Sequence, residues 1–256
     1  VQSEKGEHRA RNICLGTGHA PWIPKPARAA LGDNCFHAAE IELREPDFTG
    51  KRVVVVGGGQ SGADIVLNAL SGHWGEFTEL SWISRRPNFQ PLDESIFTNE
   101  YFTPEYVNYF YTLPEEVREQ EIETQKLPSD GISYHTLEDI YKQLYHRFDV
   151  LHQRRNVRLL PHRALDHIVR NAAGDFSLQA KHGLEKCEEH FSADIVILAT
   201  GYRPGLPDYL EPLLDRIPYD REQHLPLQPN FNLRWDGPEQ NRIYAVNAGI
   251  HSHGSA

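Results

Sequence analysis

The chain has 256 residues, a formal net charge of −10 at pH 7 and three cysteines. This length is enough for one or two domains with a buried core. The acidic balance and the lack of a dense basic tract argue against a nucleic-acid partner. No apolar run approaches membrane-spanning length, and Cys14, Cys35 and Cys187 lie too far apart for a zinc site or a redox pair. We therefore expect a cytoplasmic protein without a membrane partner.

The N-terminal region predicts a short strand and then a linker. Residues 12–15 look like a short strand that enters a glycine turn. Pro21, Pro24 and Pro26 follow, and their spacing predicts an extended segment that is not helical.

The strongest pattern in the chain lies at residues 52–64. Four consecutive valines predict a fully buried strand of a parallel sheet, and apolar residues on one face predict a helix soon after it. Between the two, Gly57, Gly59 and Gly62 match G-x-G-x-x-G. In this context the glycines let the backbone approach a dinucleotide pyrophosphate at the helix N-terminus. A tight turn that binds nothing is the alternative.

The end of the next predicted strand indicates which dinucleotide is bound. Residues 80–83 are followed by Ser84, Arg85 and Arg86, where an NAD site usually carries an acidic residue. Arginine forks match phosphate oxygens, so these two guanidinium groups favour the 2′-phosphate of NADPH. A solvated basic turn is the alternative.

The rest of the chain is first helical and then rich in strands. Pro114, followed by two glutamates, predicts the start of a helix. A capping box and an apolar stripe predict a core-facing helix further on, formed by Thr136, Leu137, Asp139, Ile140, Tyr141, Leu144, Tyr145 and Phe148. Later strands are predicted at residues 157–160, 168–170, 176–180, 193–198 and 243–249.

Several motifs resemble one enzyme family. Residues 15–18 and 198–202 look like the ATG-type turns that join the two dinucleotide domains of flavoproteins. Other stretches that look familiar from the family are residues 10–18, 84–86, 101–106, 129–133, 144–148 and 247–254. Together with the glycine motif, they make the chain resemble the N-hydroxylating flavin monooxygenases of siderophore biosynthesis, in particular lysine N-hydroxylase and its diamine-hydroxylating relatives.

The resemblance implies an α/β fold of the two-dinucleotide-binding-domain flavoprotein type. We expect residues 1–45 to be the end of a first FAD-domain segment and a linker. Residues 46–190 would be a Rossmann-like NADPH-binding domain with a helical insertion near residues 95–155, and residues 191–256 the return to the FAD domain. The family carries a further FAD-binding unit before these segments and a closing segment after them, so we expect a piece of a longer protein.

The activity that the resemblance implies is N-hydroxylation of a terminal primary amine with FAD, NADPH and O2. The substrate would be L-lysine or an aliphatic diamine, cadaverine or putrescine, in hydroxamate siderophore biosynthesis. The enzyme would be a homo-oligomer. Because an alkylammonium has a pKa of about 10.4 in water, we expect a desolvating pocket rather than a strong general base. No residue is assigned as catalytic, since the flavin carries the chemistry. Alternatives are a carbon- or sulfur-oxidising flavin monooxygenase and a non-catalytic NADPH-binding remnant.

The resemblance also assigns cofactor-binding residues. Gln60 and Ser61 would lie against NADPH, as would the glycine turn and the two arginines. Thr200 and Gly201 would approach the flavin or the domain junction through their backbone.

The remaining assignments concern the substrate and a possible metal. Asn99 matches a substrate-contacting Asn of the family, with a helix-capping Asn as the alternative. Asp130 falls near another such position, with a turn Asp as the alternative. His251 and His253 have H-x-H spacing, but with no third ligand nearby we expect no metal.

Overall fold

In the computed structural model, residues 2–204, 208–218, 224–246 and 248–254 are described, and Asn247 of the family motif lies outside them. The strands in chain order are β1 Gln2–Ser3, β2 Gly6–Glu7, β3 Asn12–Leu15, β4 His19–Pro21, β5 Cys35–His37, β6 Arg52–Val56, β7 Glu79–Ile83, β8 Val157–Leu160, β9 Arg163–Arg170, β10 Phe176–His182, β11 Glu188–Ala193, β12 Ile195–Leu198, β13 Tyr202–Pro204 and β14 Arg242–Ala245. The α-helices are α1 Ile41–Arg44, α2 Gln60–Leu70, α3 Pro104–Thr112, α4 Glu115–Thr124, α5 Leu127–Asp130, α6 Tyr134–Tyr145 and α7 Ile250–His253. The 3-10 helices are Lys25–Ala30, Ala38–Glu40, Ile96–Phe102 and Asp208–Arg216, and His146–Val150 is a π-helix.

The chain forms two compact units. The first, here called the sheet unit, comprises residues 21–92 and 130–201. The second, the split unit, comprises residues 1–20, 93–129 and 202–256. Residues 95–129 of the predicted helical insertion group with the split unit, and the predicted domain limits stay a prediction. No described helix is long and apolar enough to cross a membrane.

A five-stranded parallel sheet forms the centre of the sheet unit. Its strand order is β5-β12-β6-β7-β8, so the predicted valine strand β6 lies in the middle. Val53 and Val55 pack in one buried cluster with residues of α2, whereas Val54 and Val56 pack in another with the antiparallel sheet β11-β10-β9. Both faces of β6 are covered, which explains why its apolar run is continuous rather than alternating.

The proline-rich linker is partly helical, so its predicted extended conformation is wrong from Lys25 onwards. Lys25–Ala30 forms a 3-10 helix that begins after Pro24 and carries Pro26 in its first turn. Proline is tolerated there because the first N–H groups of a helix have no intrahelical partner. Ala27 and Ala30 are buried, and this packing stabilises the short helix.

Helix α6 confirms the predicted helix but not its capping box. The helix begins after Ser133, which places Thr136 inside the first turn, where its hydroxyl accepts a hydrogen bond from Gln60 at 3.0 Å. The apolar stripe is also narrower than predicted: Ile140 is buried, whereas Tyr141 and Tyr145 are 69% and 53% exposed. The packed face of the helix consists of Leu137, Ile140 and Leu144.

Strand β11 was not predicted, because residues 187–190 are mostly charged or polar. The strand forms through pairing with β10, which places Phe191 and Ala193 in the core and leaves its polar residues outward. The strand predicted over residues 193–198 is consequently divided at Asp194 between two sheets.

The split unit has its own apolar core. Strand β3 pairs in parallel with β14, and β4 pairs with β13. Leu15, Leu227, Leu233 and Ile243 are among its buried residues. The predicted final strand ends at Ala245 and does not continue to residue 249.

An ion pair joins the start of β6 to the start of β12. Asp194 accepts hydrogen bonds from the Arg52 backbone N–H at 2.8 Å and from its guanidinium at 2.7 Å. Arg52 also reaches Asp175 in the β9–β10 turn at 3.3 Å. The Arg52 hydrogen bonds hold the pKa of Asp194 below its usual value, so the ionised form stabilises the fold.

We predict that Asp194→Asn lowers the free energy of unfolding by about 1–2 kcal/mol at pH 7. A depressed folded-state pKa contributes stability above the unfolded pKa of about 3.9, and this contribution is lost as the pH falls through the folded pKa. The difference from wild type should therefore shrink below about pH 4. Urea unfolding across this pH range measures it, with Asp149→Asn, whose ion pair with Arg155 is exposed, as control. An equal loss in the control would contradict the assignment.

Candidate dinucleotide-binding site

The candidate site lies at the carboxyl-terminal edge of the parallel sheet. Because all five strands run in parallel, the segments that follow β12, β6 and β7 leave the sheet at the same edge. Ligands of open α/β sheets bind at this edge. The glycine turn, the two arginines and Thr200 are thereby brought to one side of the sheet unit.

Gly57 begins the turn, and only glycine fits there. Its φ is +133°, and an added Cβ would stand 1.9 Å from the Ala199 carbonyl oxygen. Its N–H donates to the Ile83 carbonyl at 2.9 Å, and its own carbonyl accepts from the Trp82 indole at 2.6 Å. The turn is thus held between the exits of both neighbouring strands.

The other glycines have separate roles. A Cβ on Gly62 would lie 2.4 Å from the Gly57 carbonyl oxygen, so this glycine allows α2 to start directly above the turn. A Cβ on Gly58 would lie 2.2 Å from the Ser84 hydroxyl. Gly59 has no neighbouring atom within 4 Å of such a Cβ, and its φ of −107° strains no residue type. The space beside its Cα is therefore open.

The start of α2 suits an anion. Gly59 is the N-cap, no side chain caps the helix, and the first turn contains no acidic residue. The first N–H groups of a helix lack intrahelical partners and carry partial positive charge. The turn and the helix N-terminus therefore fit a pyrophosphate group.

Gln60 contacts protein with its whole carboxamide. Its Nε2 donates to Asp64 at 2.7 Å and to Thr136 at 3.0 Å, while its Oε1 accepts from the Ser133 N–H at 2.7 Å. A ligand at the helix N-terminus would consequently meet the backbone N–H of Gln60, not its side chain. Ser61 is half-buried in the first turn.

The two arginines differ in their surroundings. Arg85 is exposed and makes no hydrogen bond or ion pair with the residues that the structure describes. Arg86 is 21% exposed and donates to the Asp130 carbonyl at 2.6 Å and to the Gly58 carbonyl at 3.4 Å. Its guanidinium also lies 3.5 Å from the Asp130 carboxylate. Arg85 is therefore the guanidinium that is available to a ligand.

Thr200 and Gly201 are fixed by two residues that the sequence did not indicate. Thr200 donates to the Trp22 carbonyl at 2.6 Å, and the Gly201 carbonyl accepts from the Trp22 N–H at 2.9 Å. The His37 Nε2 also contacts the Gly201 carbonyl, at 3.0 Å. Because Nδ1 accepts from the Ala39 N–H, Nε2 carries the proton and the ring is neutral. Burial accordingly lowers the pKa of His37.

No sequence signal could have identified His37. It ends the edge strand β5, which pairs with β12, and only this pairing places its imidazole beside Gly201. The two residues are 164 positions apart in the chain.

Asn99 lies in the split unit. It belongs to the 3-10 helix Ile96–Phe102 and is exposed, and its side chain forms no hydrogen bond with the described residues. It does not cap α3, because Thr103 fills that position and its hydroxyl accepts from Tyr106. Asp130, the other predicted substrate residue, lies at the end of α5 and contacts Arg86.

The two histidines near the C-terminus contact protein groups. His251 Nε2 hydrogen-bonds the Leu225 carbonyl at 2.9 Å, and the buried His253 hydrogen-bonds Ser252 at 2.8 Å. Within the described residues, no group of three or more side chains is arranged to hold a metal ion.

A glycine turn between a buried parallel strand and an uncapped helix is typical of dinucleotide-binding proteins of the α/β class. The chain belongs to the L-lysine 6-monooxygenase/L-ornithine 5-monooxygenase family, whose pattern matches residues 1–204. This membership confirms the resemblance seen in the sequence.

Individual relatives support the same family. The chain is 48% identical to the L-lysine N6-monooxygenase of Escherichia coli, over 100% of this chain and 60% of that protein. It is 32% identical to the putrescine N-hydroxylase of Acinetobacter baumannii, over 99% of this chain and 56% of that protein. The FAD-bound cadaverine monooxygenase of Erwinia amylovora superposes with a TM-score of 0.83 at 29% identity, over 94% of this chain and 55% of that one. The predicted flavoprotein fold is thus confirmed, and the chain spans about 60% or less of these relatives.

We predict that two neighbouring glycine substitutions separate stability from binding. Gly57→Ala should lower the free energy of unfolding by roughly 3 kcal/mol or more, because it adds backbone strain and overlaps the Ala199 carbonyl. Gly59→Ala should change it by less than about 1 kcal/mol, yet weaken NADPH binding about tenfold or more, because its methyl group stands where the pyrophosphate approaches. Thermal unfolding and NADPH titration measure both effects. Normal NADPH affinity in Gly59→Ala would exclude this turn as the phosphate site.

Proposed function

We propose that the protein of which this chain is part is an FAD- and NADPH-dependent monooxygenase that N-hydroxylates the terminal amine of L-lysine or an aliphatic diamine in siderophore biosynthesis. The observation that carries the proposal is the open, uncapped N-terminus of α2 behind the glycine turn, in a chain 48% identical to an L-lysine N6-monooxygenase. O2 would be the oxygen donor. Homo-oligomeric assembly and a cytoplasmic location remain predictions from the family resemblance.

The sheet unit would hold NADPH. In this proposal the N–H groups of Gln60 and Ser61 bind the pyrophosphate, and Gly57, Gly59 and Gly62 allow its close approach. Arg85 binds the 2′-phosphate, because it is the exposed and uncommitted guanidinium at the end of β7. NADPH would supply the reducing equivalents and FAD the oxygen-transfer chemistry. The backbone of Thr200 and Gly201, held by Trp22 and His37, would border the flavin.

The split unit would contribute to the FAD domain and to amine binding. Asn99 is available for this role, because its carboxamide makes no hydrogen bond with described residues. A carboxamide oxygen accepts hydrogen bonds from an amine or ammonium without adding charge. The amine must lose its proton before it reacts, so a neutral acceptor suits it better than a carboxylate, which would stabilise the ammonium.

The experiment that tests the proposal is a product assay. Full-length, FAD-loaded protein is mixed with NADPH in air, and hydroxylamine is quantified with L-lysine, L-ornithine, cadaverine and putrescine in parallel. Hydroxylamine from lysine or a diamine supports the proposal and identifies the substrate. NADPH oxidation that yields only hydrogen peroxide with all four amines would contradict it. Protein that retains no flavin would favour the NADPH-binding remnant.

We predict that Arg85→Ala raises the KM for NADPH about 10- to 100-fold and leaves the KM for NADH within about twofold. This increase in KM corresponds to the loss of about 1.5–3 kcal/mol of binding free energy, which is typical of a hydrogen bond between charged groups. Initial rates with both nucleotides at saturating amine measure it. Arg155→Ala, which removes another exposed arginine of the sheet unit, is the control. Equal losses for NADPH and NADH would contradict the 2′-phosphate assignment.

We predict that Asn99→Ala raises the KM for the amine roughly 5- to 20-fold, as expected for the loss of one or two hydrogen bonds. Flavin reduction by NADPH in the absence of amine should keep its wild-type rate, because Asn99 does not contact the dinucleotide in this proposal. Stopped-flow absorbance of the flavin and steady-state kinetics measure the two effects. Slow reduction with normal amine saturation would reverse the assignment.

A further inference from the structure

We propose that Asp130 and Arg86 form a positioning pair for the glycine turn, and that Asp130 acts on nucleotide binding through Arg86 rather than by contacting the amine. The proposal rests on the proposed function, because it requires that the turn binds NADPH. The two arginines then have different roles: Arg85 binds the 2′-phosphate, and Arg86 fixes the position of the glycine turn.

The contacts of Arg86 converge on the turn. Its side chain donates to the Gly58 carbonyl at 3.4 Å, and its backbone N–H donates to the Ser84 hydroxyl at 3.1 Å. That hydroxyl lies where a side chain of Gly58 would stand. Residues 84–86 therefore border Gly58 on two sides, once through a hydroxyl and once through a guanidinium.

Asp130 holds the guanidinium in place from the other side. Its carbonyl accepts from Arg86 at 2.6 Å, and its carboxylate lies 3.5 Å away. Asp130 itself precedes a fixed segment, because the Leu92 N–H donates to the Ile132 carbonyl at 2.7 Å and the Ile132 N–H donates to the Gln90 carbonyl at 2.9 Å. Gly131 also packs directly against Leu92. The Arg86 side chain thus connects the turn to a segment 44 residues further along the chain.

Gln60 forms a second connection to the same segment. Its carboxamide accepts from the Ser133 N–H at 2.7 Å and donates to Thr136 at 3.0 Å. The segment that begins at Asp130 is therefore joined to both sides of the phosphate site, to Gly58 through Arg86 and to the start of α2 through Gln60. Two independent connections to one segment indicate that its function is to support this site.

Charge gives the pair a second effect. A carboxylate beside a pyrophosphate site repels the ligand unless a cation neutralises it. Arg86 provides that cation. Removing Arg86 alone leaves the Asp130 carboxylate unpaired, whereas removing both charges does not. The two substitutions should therefore be non-additive in nucleotide binding.

The test measures three KM values in full-length, FAD-loaded protein, for NADPH, NADH and the amine. Asp130→Asn is expected to raise the KM of both nucleotides equally, roughly 3- to 10-fold, because the loss of the ionic partner that positions Arg86 outweighs the loss of one nearby negative charge, and to leave the amine KM within about twofold. Arg86→Ala should raise both nucleotide values further, and the double variant Arg86→Ala/Asp130→Asn should be no worse than Arg86→Ala. Asp139→Asn, which removes an exposed carboxylate of α6 near Lys142, is the control and should match wild type.

Other outcomes overturn the proposal. A raised amine KM with normal nucleotide values in Asp130→Asn would assign this residue to the amine site. Lower thermal stability with unchanged KM values would make the pair a purely structural contact. An effect on NADPH alone would place Arg86 at the 2′-phosphate. If wild-type protein failed to bind NADPH, the proposed function itself would be wrong. This result differs from wild-type NADPH binding that does not respond to changes at Asp130 and Arg86, which would contradict only the positioning pair.

Discussion

The site depends on one close approach between two neighbouring strands. The Ala199 carbonyl oxygen, just beyond β12, occupies the space that a side chain of residue 57 would need. Only glycine leaves this space empty, and the chain turns at Gly57 with a positive φ. The Gly57 carbonyl then accepts a hydrogen bond from the Trp82 indole and lies against Gly62. The start of α2 follows from this arrangement. A methyl group at residue 57 would move the turn, the helix N-terminus and the end of β12 together.

Side chains around the turn mainly support it, and in the proposed function the backbone N–H groups bind the ligand. Gln60 uses its carboxamide to join α2 to the start of α6, and Arg86 uses its guanidinium to join the turn to Asp130. Thr200 is likewise held by Trp22. A pyrophosphate is recognised well by N–H groups at a helix N-terminus, and these must be held rigidly because they cannot adjust as long side chains do. The polar side chains supply that rigidity.

The strand, turn and helix at residues 52–70 were predictable because a buried parallel strand and a glycine turn each leave a local pattern. Contacts between residues far apart in the chain leave no such local pattern. Strand β11 forms only against β10, His37 reaches Gly201 only because β5 pairs with β12, and Arg86 meets Asp130 across an insertion. The sequence therefore indicated which residues surround the site, but it could not tell a side chain that is available to a ligand from one that is committed to protein. Arg85 and Arg86 are adjacent and differ in this respect.

The segment 93–129, which lies between two parts of the sheet unit, can change without disturbing the parallel sheet. The chain leaves the sheet unit at Leu92 and returns at Asp130, and the two ends pair through Leu92 and Ile132. Because the ends are adjacent, replacing the residues between them costs little loop-closure free energy and leaves the parallel sheet intact. Asn99 lies within this insertion, whereas the glycine turn lies outside it. In the proposed function, in which Asn99 contacts the amine and the glycine turn binds NADPH, a change of amine would need replacements only in the insertion.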